Sequence, residues 1–107
     1  MKTSELTGVA LDAAVAKCEG VAVEYVDDGI TRCLLMRAGS RFNPSSKWDW
    51  GGPIIEREKI DVIADPNGKD VWMGRLYQNH QARKAFGATP LIAAMRCYVA
   101  SKLGDNL

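Results

Sequence analysis

The segment TPLIAAMRCYVASKLG, from Thr89 to Gly104, constrains the fold more than any other stretch. Thr89 offers a hydroxyl for a helix N-cap, Pro90 suits the first turn where its missing N–H costs nothing, and Gly104 supplies a stop. Leu91, Ile92, Met95, Val99 and Leu103 fall on one apolar stripe with Tyr98 at its edge. The opposite side is Ala93, Ala94, Cys97, Ala100 and Ser101, and only Arg96 and Lys102 carry charge. A solvated helix face normally carries Lys and Glu, so uniformly small residues imply that another backbone packs close. Two partners suit that role: the first helix, with alanines at 10, 13, 14 and 16, or a second copy of the same helix in a homodimer.

The first helix is expected over Gly8–Glu19, with Thr7 at the N-cap and Gly20 just past the end. VAVEYV and ITRCLLMR, joined by Asp27-Asp28-Gly29, read as a β-hairpin closed by a tight primed turn. The following AGSRFNPSSKWDWGG is rich in turn formers and long for a loop. Pro53 then sits at the first position of a helix, IIEREKI, of two turns at most. IDVIAD and DVWMGRLY around Pro66-Asn67-Gly68 form a second hairpin, and QNHQARKAFGA reads as a polar connection to the last helix. The order α-β-β-α-β-β-α makes this an α+β chain. One small domain is expected over residues 1–107, an antiparallel sheet from two hairpins packed against N- and C-terminal helices.

A chain of 107 residues can bury roughly two thirds of its unfolded surface and needs no metal or disulfide to fold. No apolar run approaches the roughly 18 residues of a membrane helix. Glu5, Asp12 and Glu19 interrupt the N-terminal stretch in a way no signal peptide does, so the cytoplasm is the expected compartment and no membrane partner is expected. Cys18, Cys33 and Cys97 are odd in number, widely spaced and without a CxxC pair, which reads as buried structural thiols and not as a zinc site. Net charge is +1, but its distribution is uneven. Arg32, Arg37, Arg41 and Lys47 lie in one acid-free stretch, and Arg75, Arg83, Lys84, Arg96 and Lys102 lie in another.

Catalysis finds little support. His80 is the only histidine and sits among polar residues, and no nucleophile elbow, phosphate loop or dinucleotide glycine pattern occurs, so no cofactor is expected. Glu56 and Glu58, two apart on a helix, point in different directions, whereas Asp49 and Glu56 could do acid–base work, and such a site needs a deep pocket holding both. The stretch SSKWDWGGPIIERE has more to offer as a binding surface. Gly51 and Gly52 permit a ligand close to the backbone, the free N–H groups ahead of Pro53 could hold an anion, and Ser45 and Ser46 add hydroxyls. Trp48 and Trp50 offer flat faces for stacking, unless they plug the core beneath the loop while Asp49 or Ser46 satisfies loop amides.

KTSELTG near the start, the PSS-x-W-x-x-GGPIIERE-x-I block and TPLIAAMRCYVASKLGD together resemble the NinX-like proteins, small products of tailed bacteriophages and prophages. Members usually read Ser-Thr-Asp-Trp where this chain has Ser45-Ser46-Lys47-Trp48, which argues against cation binding by the block. The resemblance implies an accessory protein acting in the infected or lysogenic bacterial cell, and it supplies no catalytic residues. It marks Trp48, Gly51, Gly52, Pro53, Glu56, Arg57, Glu58, Thr89, Pro90 and Arg96 as recurring positions. The expected function is therefore non-enzymatic binding of a host or phage macromolecule. The binding residues expected for it are Ser45, Ser46, Trp48, Asp49, Trp50, Gly51, Gly52, Glu56, Arg57 and Arg96. One alternative is nucleic-acid binding along Arg32–Trp50, with Phe42 and the tryptophans. The other is capture of a small anion or nucleotide at a helix start over Gly51–Pro53.

Overall fold

The computed structural model describes residues 1–67 and 71–107. A short 3-10 turn (Thr3–Glu5) precedes α1 (Gly8–Glu19), the hairpin β1 (Val23–Asp27) and β2 (Arg32–Met36), and α2 (Trp48–Glu58). Strands β3 (Asp61–Ala64), β4 (Trp72–Gln78) and β5 (Gln81–Gly87) follow, and α3 (Pro90–Leu103) is last. The α+β class and the order of helices and antiparallel hairpins are those read from the sequence, with β5 as an additional strand. The hairpins do not merge into one sheet: β1–β2 stands alone and β3–β4–β5 forms a second sheet. The radius of gyration is 13.6 Å, close to the roughly 13 Å of a globular domain of this length.

Helix α3 is the centre of the molecule. Thr89 Oγ1 accepts from Ile92 N at 3.1 Å, and Ala93, Ala94, Met95, Cys97 and Val99 are wholly buried. Its small face meets a close backbone, as its composition requires, but the partner is the sheet. A Cβ on Gly74 of β4 would lie 2.7 Å from Ala93 O, and one on Gly87 of β5 would lie 2.8 Å from Ala93 N. Alanines on the helix and glycines on the strands thus let the two backbones approach closely. The first helix packs elsewhere on α3, and the face expected to pair with a second copy is already covered within the chain. The helix-mediated homodimer expected from the sequence loses its surface.

Local geometry departs from expectation in two turns. Asp27 pairs with Arg32, leaving a four-residue loop, and Gly29 is its one positive-φ residue, at 84°. A primed turn is not formed because the aspartates act as turn acceptors instead. Gly29 N donates to Asp27 Oδ1, and Ile30 N and Thr31 N both donate to Asp28 Oδ1. The true two-residue hairpin lies at Asn79-His80, both in the left-handed region, between paired Gln78 and Gln81. It turns the expected polar connection into β5. In the β3–β4 connection, Asn67 N donates to Asp65 Oδ1 at 3.1 Å, and Gly68 of the expected turn lies outside the described residues.

Candidate functional site

The corner from Ser45 to Glu58 is built on tertiary packing. Residues 40–42 run beside β2, with Phe42 N donating to Leu34 O at 2.9 Å, and they deliver Phe42 into the core at 3% exposure. Asn43 O then accepts from Ser46 N and Lys47 N, closing a turn that starts α2 at Trp48. Pro53 is therefore inside the helix and not at its head. Its ring removes one helical bond, yet the preceding turn is held by packing. Trp50 sits 5.4 Å from Phe42 in a tilted ring pair, and Ile54, one turn on, is buried.

That correction removes the anion site expected over Gly51–Pro53, because these amides belong to the helix body. Gly51 is buried for another reason: a Cβ there would lie 2.5 Å from Leu91 Cδ2 and 2.6 Å from Pro44 O. Gly52 is not crowded, its nearest neighbour being Trp48 Cε3 at 3.8 Å. Trp48 is 56% exposed, while Trp50 is half-buried, so the two tryptophans divide between surface and core. Asp49 and Glu56 are both exposed on α2, about 10 Å apart along its axis, and neither lines any of the four clefts found among the described residues. The stacking surface of the nucleic-acid alternative is reduced likewise. Phe42 is buried, and Arg32 pairs with Asp27 at 3.4 Å.

Ser45 leads to a buried carboxylate. Its amide donates to Asp12 Oδ1 at 2.8 Å, tying the 43–46 turn to α1. Asp12 is 5% exposed at the base of a cleft of about 270 Å³ whose rim carries Arg32, Arg41 and Ser46. Burial pushes the Asp12 carboxyl above its ordinary value, partly opposed by the bonds from Ser45. A raised folded pKa means the charged form weakens folding once pH exceeds the unfolded value, 3.8. Asp12→Asn keeps an acceptor for Ser45 N and removes the charge. It is expected to match or exceed wild-type stability at pH 7 by up to about 1 kcal/mol, the gap closing at pH 3. Asp12→Ala orphans a buried amide and is expected to lose about 1–3 kcal/mol. Urea unfolding at the two pH values measures both.

Arg57 is exposed, but its guanidinium is engaged by partners within the chain. Its Nη1 and Nη2 grip Glu19 of α1 at 3.0 and 2.6 Å, and its Nε reaches Glu58 at 2.9 Å. The Tyr98 hydroxyl of α3 donates to Glu19 Oε2, and Lys102 Nζ lies 3.4 Å from Glu58 Oε1. Five side chains thus bind three helices. Arg57's bonds hold the Glu19 carboxyl below its usual range, and burial followed by the Glu19 bond raises the Tyr98 phenol. Arg96 is also partly structural, with Nε on Leu6 O at 2.8 Å and Nη1 on Phe86 O at 2.7 Å. Among the thiols only Cys97 is buried, and burial pushes it up to about 11; Cys18 and Cys33 are half-buried.

A surface absent from the sequence reading is the outer face of β3–β4–β5. Gly74, Leu76, Ala85 and Gly87 point toward α3 and are buried, so their neighbours along each strand point away. Ile63, Met73 and Phe86 stand in register across the three strands, with Tyr77 beyond them. None of the four is buried: Phe86 is 49% and Tyr77 65% exposed. Between the apolar row and Tyr77, Arg75 and Asp61 pair at 3.0 Å, with the guanidinium 5.6 Å from the Tyr77 ring. The alternation of Arg83, Ala85 and Gly87 with Ala82, Lys84 and Phe86 was the available signal for this face.

Among the described residues no group of three or more His, Cys, Asp or Glu side chains could hold a metal ion, and no helix is long and apolar enough to cross a membrane. A comparison with curated proteins finds no match. A protein-family model described as bacteriophage P22 NinX matches residues 2–102, nearly the whole chain. That span runs from the first turn to within one residue of the end of α3, and the chain belongs to the NinX family of bacteriophage proteins.

Proposed function

We propose that this chain is a phage accessory protein that works by binding a protein partner in the infected cell, and not by catalysis. One observation carries the reading: the outer face of the three-stranded sheet, with Ile63, Met73, Phe86 and Tyr77 aligned on it, is left uncovered by every helix. An apolar row of aromatic and methionine side chains beside a paired Arg75 and Asp61 has the composition of a protein interface core and its polar rim. The same face suits nucleic acid poorly, because Arg75 is already neutralised by Asp61 and, among the described residues, Lys84 is its one other cation. The groups with displaced pKa values support the non-catalytic half of the reading. Asp12, Glu19, Tyr98 and Arg57 all hold elements of the fold together.

The test is quantitative affinity capture from infected cells with wild-type protein, Phe86→Glu, Tyr77→Glu and Trp48→Ala, each checked by thermal melting. A partner depleted at least tenfold in the two sheet variants, with melting temperature retained, is the expected result. Undiminished recovery with both glutamates in place overturns the reading, and a loss confined to Trp48→Ala moves the interface to the start of α2.

A further inference from the structure

The free edge of β5 borders a second cleft, which shares Lys84 with the rim of the open sheet face. Lys2 pairs with Asn106 in an antiparallel bridge, and buried Thr3 anchors the segment. Its amide donates to Asp105 O at 2.8 Å and its hydroxyl to Gly104 O at 2.6 Å. Between this clasp and β5 lies a space of about 240 Å³ lined by Lys2, Thr3, Ser4, Lys84, Arg96 and Asp105, among others.

The charge of this space is one-sided. Asp105 is held by Arg83 at 3.1 Å. Lys2, Lys84 and Arg96 have no carboxylate within 4.0 Å among the described residues. Arg96 is the most exacting of the three, since it is half-buried and its recorded bonds go to two carbonyls, which orient a guanidinium without neutralising it. Its Nη2 has no protein acceptor among the described residues, and burial draws its pKa down, so the cation is poorly compensated where it sits. A guanidinium with one free nitrogen, two ammonium groups and the Ser4 hydroxyl is a donor set for an oxyanion.

We propose that this cleft binds a phosphate group, with Arg96 donating from Nη2, Lys2 and Lys84 supplying charge and Ser4 a hydroxyl. Arg96, Lys2 and Lys84 all border this one space, which favours a dianion over a carboxylate. The volume equals about eight waters, room for a phosphate and a small substituent but less than the roughly 300 Å³ at which drug-sized pockets begin. The phosphate belongs either to a small metabolite or to a nucleic-acid strand passing over the edge of β5.

Amide chemical shifts recorded during titration with inorganic phosphate, a 5′-mononucleotide and a ten-nucleotide single strand test the site, ionic strength being held with potassium chloride. Saturable shifts at Thr3, Ser4, Lys84 and Ala85 are expected. The exposed double variant Lys2→Gln/Lys84→Gln, whose melting temperature should be unchanged, is expected to bind about tenfold more weakly. Arg96→Lys keeps the charge, loses the Nη2 donor and should weaken binding similarly. A strand that binds tighter than the mononucleotide, with affinity falling steeply in salt, identifies nucleic acid as the source; equal affinities identify a free phosphorylated molecule. Shifts that never saturate, or equal binding by wild type and the double variant, overturn the proposal.

Discussion

Gly74→Ala is expected to destabilise the protein by about 3 kcal/mol, the size of a severe overpacking change. The added Cβ would stand 2.7 Å from Ala93 O, 2.9 Å from Ala93 C and 3.0 Å from Ala94 Cα. All three are backbone atoms of α3, so no rotamer change relieves the clash and helix and sheet must separate. A gap of 0.5–1 Å already forfeits roughly a quarter to a half of each dispersion contact along the interface. Alanine's lower unfolded-state entropy returns only about 0.4–1 kcal/mol. Gly52→Ala is the control: apart from its chain neighbours its nearest contact is Trp48 Cε3 at 3.8 Å. The helix propensity gained is offset by the clash of a Cβ with the Pro53 ring, so a change within about 1 kcal/mol is expected. Urea unfolding gives both numbers, and a Gly74→Ala loss under about 1 kcal/mol would show that α3 is loosely seated.

Tyr98→Ala should cost about 4 kcal/mol, since Tyr98 is 1% exposed and the largest side chain fully buried in the core. Tyr98→Phe separates the ring from its hydroxyl. It keeps the packing beneath the Arg57 and Lys102 cations, each 5.9 Å from the ring centre, and loses the donor to Glu19. About 1–2 kcal/mol is expected for that step, because Glu19 retains its two bonds to Arg57. The pH dependence offers a separate check. The folded pKa of Glu19 is depressed, so its stabilisation is complete above the unfolded value of 4.5 and fades as pH falls through the folded value. Wild type should therefore lose stability below pH 4.5 in excess of Glu19→Gln. Parallel curves would mean that the three-helix clamp contributes nothing.

Helix α3 was legible because capping, periodicity and the stop residue agree, and α1 matches its expected bounds at both ends. Thr7 of α1 illustrates a limit even there, since it holds the N-cap position with no side-chain bond. The misreadings share a cause, which is that distant packing overrode a local rule. Pro53 signals a helix start locally, but Trp50 on Phe42 and Gly51 against Pro44 and Leu91 extend the helix backward past it. Asn79-His80 lacks the glycine that marks a primed turn, so β5 and the open sheet face stayed hidden. The binding residues expected in one block were dispersed by the fold. Trp48, Asp49 and Glu56 are exposed, Ser45 is tied to Asp12, Arg57 is spent on Glu19, and Arg96 lies at the far cleft.

That α3 is both the last helix and the central one bears on how the chain comes off the ribosome. Synthesis proceeds at roughly 5–20 residues per second, so several seconds pass before Pro90–Leu103 can act as a template. Until then Leu76 and Ala85 have nothing to bury against, and α1 and α2 lack the tyrosine that joins them. The nascent chain is therefore a set of fluctuating hairpins and turns that condenses in one late step. Stop codons placed before residue 90 should yield products cleared by proteases and not a smaller folded core.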